Sequence, residues 1–164
     1  MYFDGSAYMT FPAINFGNSD FTVDWWEYVT SSSSQVRFCS AFNNTNNCDG
    51  IMFGYDGTKV YATGTANSSS WTLVSDAVML NNTLNTWVHW AIVRKGTTLS
   101  TYKNGTLYKS VTINGAISYT ESYPAVIGAY RSLALKNFIG YIDEFRISNI
   151  ARWTENFTPP TGEY

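Results

Sequence analysis

Charge is scarce in this chain. Only 13% of its 164 residues are Asp, Glu, Lys or Arg, and the formal net charge is -2. The ten Lys and Arg are scattered rather than clustered, which leaves no electrostatic footprint for nucleic acid. No apolar run approaches the roughly 20 residues that span a bilayer, so no membrane insertion is expected. The opening MYFDGSAYMTF lacks the basic start and apolar centre of a signal peptide. The chain is therefore expected to be soluble, and either mature, excised from something longer, or exported without a cleaved signal.

Cysteine and histidine are nearly absent as well. Cys39 and Cys48 flank a turn-rich stretch, 43–47, where two hairpin arms could bring them together, so a disulfide and two thiols both stay open. Zinc usually takes four ligands, and with no CxxC pair and His89 as the single histidine the composition argues against a zinc site. Helical periodicity is missing too: no stretch keeps apolar residues at i, i+3, i+4 and i+7 for three turns. One turn at 150–154 is the only helical element expected. There is no internal repeat or linker, and 164 residues suit one domain, 1–164, large enough to bury a core without staples.

What the chain has in abundance is aromatic residues, at 17%, together with Thr, Ser and Asn. That mixture suits pleated strands joined by polar turns. Strand-like runs recur between turn clusters such as Asp56-Gly57, Asn81-Asn82, Asn104-Gly105 and Asn114-Gly115. Phe21–Val29 alternates, with Phe21, Val23 and Trp25 on one face and Thr22, Asp24, Trp26 and Tyr28 on the other. Residues 87–94 are apolar on both faces, as a central strand would be. Thr98–Lys103 then leads into Asn104-Gly105, the strongest hairpin signal present, and 106–113 forms the return strand. Pro159-Pro160 ends the last element in an extended form.

Three stretches, FDGSAYMTF with SDFTVDWW, TWVHWAIVRKGTTLSTYKNG, and FIGYIDEFRIS, resemble in order and spacing the concanavalin A-like lectins and glucanases, specifically their laminin-G-like domains. The resemblance covers essentially the whole chain. It implies an all-β, two-sheet antiparallel jelly-roll sandwich that binds sugars on its concave side or rim, often beside calcium. The ending ARWTENFTPPTGEY resembles the tail of such domains in phage tail fibres and bacterial surface proteins, which implies an extracellular or virion-surface location and a homo-oligomeric fibre as setting.

The glucanase branch uses two carboxylates in a Glu-x-Asp-x-x-Glu pattern, because retaining hydrolysis needs a nucleophile and an acid on one face. That pattern is absent. Asp24 with Glu27 and Asp143 with Glu144 are at odd separations, which in a regular strand point to opposite faces, so no enzyme is expected. His89 shares its alternate row with Trp87, Ala91 and Val93, and is expected to be a core histidine bonded to a neighbour rather than a base.

Asp143 shares a row with Ile139, Tyr141, Phe145 and Ile147, where an unpaired carboxylate would be costly to bury. The resemblance implies a structural calcium ion at Asp143; the alternative is a hydrogen bond or an ion pair with an arginine such as Arg37 or Arg94. Glycan recognition without catalysis needs aromatic faces and planar polar groups. Trp26 and Tyr28, on the outer face of their strand, and Tyr55, Tyr61, Trp71, Tyr130 and Arg131, near turns, are the candidates. The expected function is a non-catalytic carbohydrate-binding module for a glycan or cell-surface polysaccharide; the first alternative is a structural virion or surface domain that makes protein contacts, and the last a glycoside hydrolase, which the carboxylate spacing disfavours.

Overall fold

The structure, a computed structural model, describes residues 1–41, 50–57, 60–66, 73–79, 83–118, 120, 122–130 and 137–162. Among them are twelve strands: β1 (Tyr2–Asp4), β2 (Met9–Phe11), β3 (Phe21–Val29), β4 (Gln35–Cys39), β5 (Ile51–Tyr55), β6 (Val60–Gly64), β7 (Val74–Met79), β8 (Trp87–Lys95), β9 (Thr98–Lys103), β10 (Thr106–Thr112), β11 (Ala125–Ile127) and β12 (Ile139–Ser148). They form two six-stranded sheets, ordered β1-β12-β3-β8-β9-β10 and β2-β11-β4-β5-β6-β7. Every pairing between strands is antiparallel. The result is the jelly-roll sandwich expected.

The core lies between the sheets. Phe21, Val23 and Trp25 of β3 are buried there, as the alternation requires, against Phe38 of β4, Phe53 of β5, Trp90 of β8 and Ile142 of β12. Each fully buried ring of this kind contributes roughly 1.5–3 kcal/mol. Glu27 continues the same inward row and is only 2% exposed. Its carboxylate accepts from Arg37 Nε at 3.0 Å and Nη2 at 3.2 Å, and from the indole N–H groups of Trp25 and Trp90 at 3.1 Å each. Four donors thus hold one buried charge and tie the two sheets together. Arg37 can reach inward beside Phe38 because the β4–β5 register slips between Val36 and Phe38.

The Asn104-Gly105 turn forms as expected, both residues at positive φ (49° and 74°), between β9 and β10. Gly105 is required twice: a Cβ there would collide with the Phe157 carbonyl oxygen, because the C-terminal segment crosses the hairpin. That segment, 150–160, has no helical turn. It runs irregularly across the outer face of the first sheet, where Ala151, Trp153 and Phe157 pack on Ala91, Val93 and Tyr102. This explains why β8 is apolar on both faces: one lies in the main core, the other under the chain's own end.

Candidate functional site

The C-terminal segment covers only part of the outer face. Across the uncovered part the register sets four aromatic residues side by side on adjacent strands: Tyr2 opposite Tyr141, Tyr141 opposite Tyr28, and Tyr28 opposite Trp87. Tyr2, Tyr141 and Trp87 are 56%, 42% and 43% exposed, while Tyr28 is half-buried. The Tyr2 and Tyr141 rings are 5.0 Å apart, and Tyr141 and Trp87, 6.4 Å apart, converge over Tyr28. Exposed rings normally occur singly on a protein surface, so three in one row with the half-buried Tyr28 between them form an unusual patch.

Two adjoining hollows share Trp87. One, of about 460 Å³, is lined by Tyr28, Thr30, Asn85, Trp87 and Tyr141. The other, of about 420 Å³, is lined by Trp26, Trp87, Asp143, Glu144 and the chain at Pro160, Thr161 and Gly162. Trp26, at its edge, donates its Nε1–H to the Pro160 carbonyl at 3.1 Å, so that N–H is engaged within the protein. Asn85 is held at φ 55° while its N–H bonds the Val29 carbonyl at 2.9 Å.

Asp143 is not buried among Ile139, Phe145 and Ile147. Asp143 pairs with Trp26 but Arg146 pairs with Asp24, so β12 carries one residue more than β3 across this interval. Glu144, at φ 49°, takes up the extra residue. The bulge inverts the alternation, so that Tyr141 and Asp143 face outward and Phe145 packs inward on Trp25 and Phe38. Asp143 is therefore exposed, with its Oδ1 accepting the Glu144 N–H at 3.1 Å. Neither expected arginine pairs with it. Arg37 is engaged by Glu27, and Arg94 donates to the Gly96, Gly17 and Gly115 carbonyls at 2.9, 2.7 and 3.0 Å. The bulge also overturns the opposite-face argument for Asp143 and Glu144, since both border the same hollow. Asp24 and Glu27 do lie on opposite faces, both buried.

Asp24 receives two bonds from Arg146, at 3.1 and 2.9 Å, beneath the C-terminal segment. His89 beside it is fully buried, yet neither ring nitrogen has a hydrogen-bond partner among the described residues; the contact from Nε2 to Asp24 Oδ2 is 3.5 Å. The expected bond to a neighbour is thus absent, and Trp26, Trp153 and Phe157 enclose the imidazole edge-on instead. Burial under the same segment pushes the Tyr102 phenol up. The Trp153 and Phe157 rings, stacked 3.9 Å apart, lie against this histidine.

The other expected ligand residues are not gathered here. Tyr55 is buried in the core, its hydroxyl bonded to the Gly57 carbonyl. Tyr130 packs half-buried against Val36, Cys39 and Met52 on the far side of the second sheet. Trp71 and Arg131, and the side chain of Tyr61, lie outside the described residues. So does Cys48; Cys39 is buried, its Sγ 3.3 Å from the Ala41 carbonyl oxygen. Sequence reasoning missed Tyr2, Trp87 and Tyr141. Their signal, an aromatic in the outward row of each strand, becomes visible only once strand order is known.

A family model described as the concanavalin A-like lectin/glucanases superfamily, of laminin G type, matches residues 3–156. The chain belongs to that superfamily. A search of curated proteins finds no match. Among solved structures, this superfamily member is similar to the native heptameric SAP-like pentraxin of Limulus polyphemus, at 16% identity and a TM-score of 0.62, covering 93% of this chain and 76% of that one. It is also similar to domains LG4-5 of the mouse laminin alpha1 chain, at 15% identity and a TM-score of 0.66, covering 99% and 46%. A third likeness, at 15% identity and a TM-score of 0.59, covers 82% of this chain and 33% of the binding domain of botulinum neurotoxin DC, solved in complex with SialylT. The chain thus spans about half or less of the latter two. At these identities the likeness concerns the fold.

Superfamily membership raises calcium, which takes six to eight oxygen ligands. Among the described residues no three His, Cys, Asp or Glu side chains are gathered together. Asp143 and Glu144, side by side at the bulge, fit a hard cation in donor type but supply only part of such a shell.

Proposed function

We propose that this domain is a non-catalytic module that binds a glycan on the outer face of its first sheet. The observation that carries this is the row Tyr2, Tyr141, Tyr28 and Trp87 beside the Asp143, Glu144, Asn85 and Thr30 polar groups. Ring faces take up the C–H side of a pyranose, and a few convergent polar groups orient its hydroxyls. Similarity to the neurotoxin binding domain supports the reading at the level of fold. Calcium, where present, would be held by Asp143 and Glu144 with water and sugar hydroxyls completing its shell, and would supply a fixed positive charge for those hydroxyls. The tail-fibre or surface-protein setting, with its extracellular or virion-surface location and fibre-type homo-oligomer, rests on the likeness of residues 151–164 to such domains.

The test is a glycan-array screen, with calcium and again with chelator, repeated on Trp87→Ala. Binding by the parent that falls at least tenfold in Trp87→Ala, with the thermal midpoint unchanged, supports the platform. Loss with chelator and in Asp143→Asn adds calcium to it. Binding that survives Trp87→Ala moves the site elsewhere, and no binding at all leaves the domain to protein contacts. Release of reducing ends that is lost in Glu144→Gln would make it a hydrolase, since the bulge sets two carboxylates at one hollow.

A further inference from the structure

The composition of the two hollows restricts the ligand further, given that the platform binds glycan at all. Asp143 and Glu144 border one hollow, and no Lys or Arg is among the described residues lining either. Arg146, which shares this face, is bound to Asp24 and lies over the Trp153 ring beneath the C-terminal segment. Met1, whose backbone nitrogen donates to the Ile142 carbonyl at 2.8 Å, lies on the β1 side, in a separate hollow that Asp143 and Glu144 also border.

Without calcium bound, a sugar carboxylate or sulfate laid along this row would meet the like charge of Asp143 and Glu144 with no Lys or Arg among the described lining residues to receive it, and like charges placed opposite one another in an interface are strongly disfavoured. A sugar ammonium would meet the opposite sign. The ring planes also limit the form of the ligand: Tyr141 is tilted by 42° to Tyr2 and by 51° to Trp87. Rings so inclined cannot all lie flat on one crystalline surface, whereas a single chain can turn from one to the next.

We infer that the ligand is a single glycan chain free of acidic sugars, and that an amine-bearing chain is held more tightly than its N-acetylated counterpart. The experiment is an array carrying neutral, amine-bearing and uronic, sialylated or sulfated glycans, followed by titration of the parent and of Asp143→Asn/Glu144→Gln with matched β-1,4-glucosamine and N-acetylglucosamine oligomers or with the corresponding pair from the bound set. The expected result is binding confined to acid-free glycans, an amine preference of about fivefold in low salt, and loss of that preference in the double variant and at high salt. Acidic glycans bound equally or better, or an amine preference that survives the double variant, would overturn the inference while leaving the platform standing. No glycan bound by the parent would remove both.

Discussion

At the scale of single residues, the Glu27–Arg37 pair is the most consequential contact across the core. Each charge is acceptable in the interior only because the other is there. Removing one partner leaves an uncompensated charge, whereas replacing both removes the two charges together and leaves the Trp25 and Trp90 indole N–H groups without this acceptor. Arg37→Met is therefore expected to lower the unfolding free energy by about 3–5 kcal/mol in urea denaturation. Adding Glu27→Leu should recover part of that loss. A single variant as stable as the parent would show that the pair does not carry the load its burial implies. The pair left a trace in the sequence, since Glu27 continues the apolar row of Phe21, Val23 and Trp25, yet nothing along the chain says which strand supplies the cation.

At the scale of elements, the β12 bulge decides what each half of the strand shows. Before Glu144, Tyr141 and Asp143 face the platform; after it, Phe145 packs inward and Arg146 faces outward to Asp24. Deleting Glu144 restores a regular strand and forces one half to the wrong face, because a slip of one residue exchanges every side chain between core and solvent. The deletion is expected to abolish cooperative unfolding, or to retain it only with the Arg146–Asp24 pair lost. A deletion variant with parental stability and glycan binding would mean that the bulge is dispensable. Strict alternation placed Asp143 in a buried row for this same reason: period-two reasoning has no means of finding the residue at which the phase shifts. The C-terminal segment teaches a related lesson. A helical turn is expected from the sequence at 150–154, but this segment runs irregularly and lays Trp153 and Phe157 over β8 and β9 instead.

At the scale of the whole molecule, acid should weaken the fold in a defined interval. Asp4 accepts bonds from the Ser6 hydroxyl, the Ser6 N–H and the Ala7 N–H, which lower its carboxyl from 3.8 to about 2. Asp20 is lowered likewise by the Gly96 N–H and Lys95. Folded values below the unfolded ones mean that the contribution is complete above about pH 4 and is lost as the pH falls toward 2. The thermal midpoint is expected to drop over that interval and to drop less steeply in Asp4→Ala; parallel curves would assign the acid sensitivity to other groups. By itself the sequence determined the all-β class, the superfamily, the alternation of β3, the central position of β8 and the Asn104-Gly105 hairpin. These follow from local periodicity and turn chemistry, which neighbours in the chain decide. Only the tertiary structure decided that Tyr2, Tyr28, Trp87 and Tyr141 form one row, that Asp143 is exposed, and that the chain's end buries His89. Each depends on strand order, on register or on one extra residue in a ladder, and those are properties of pairings between segments far apart in the chain.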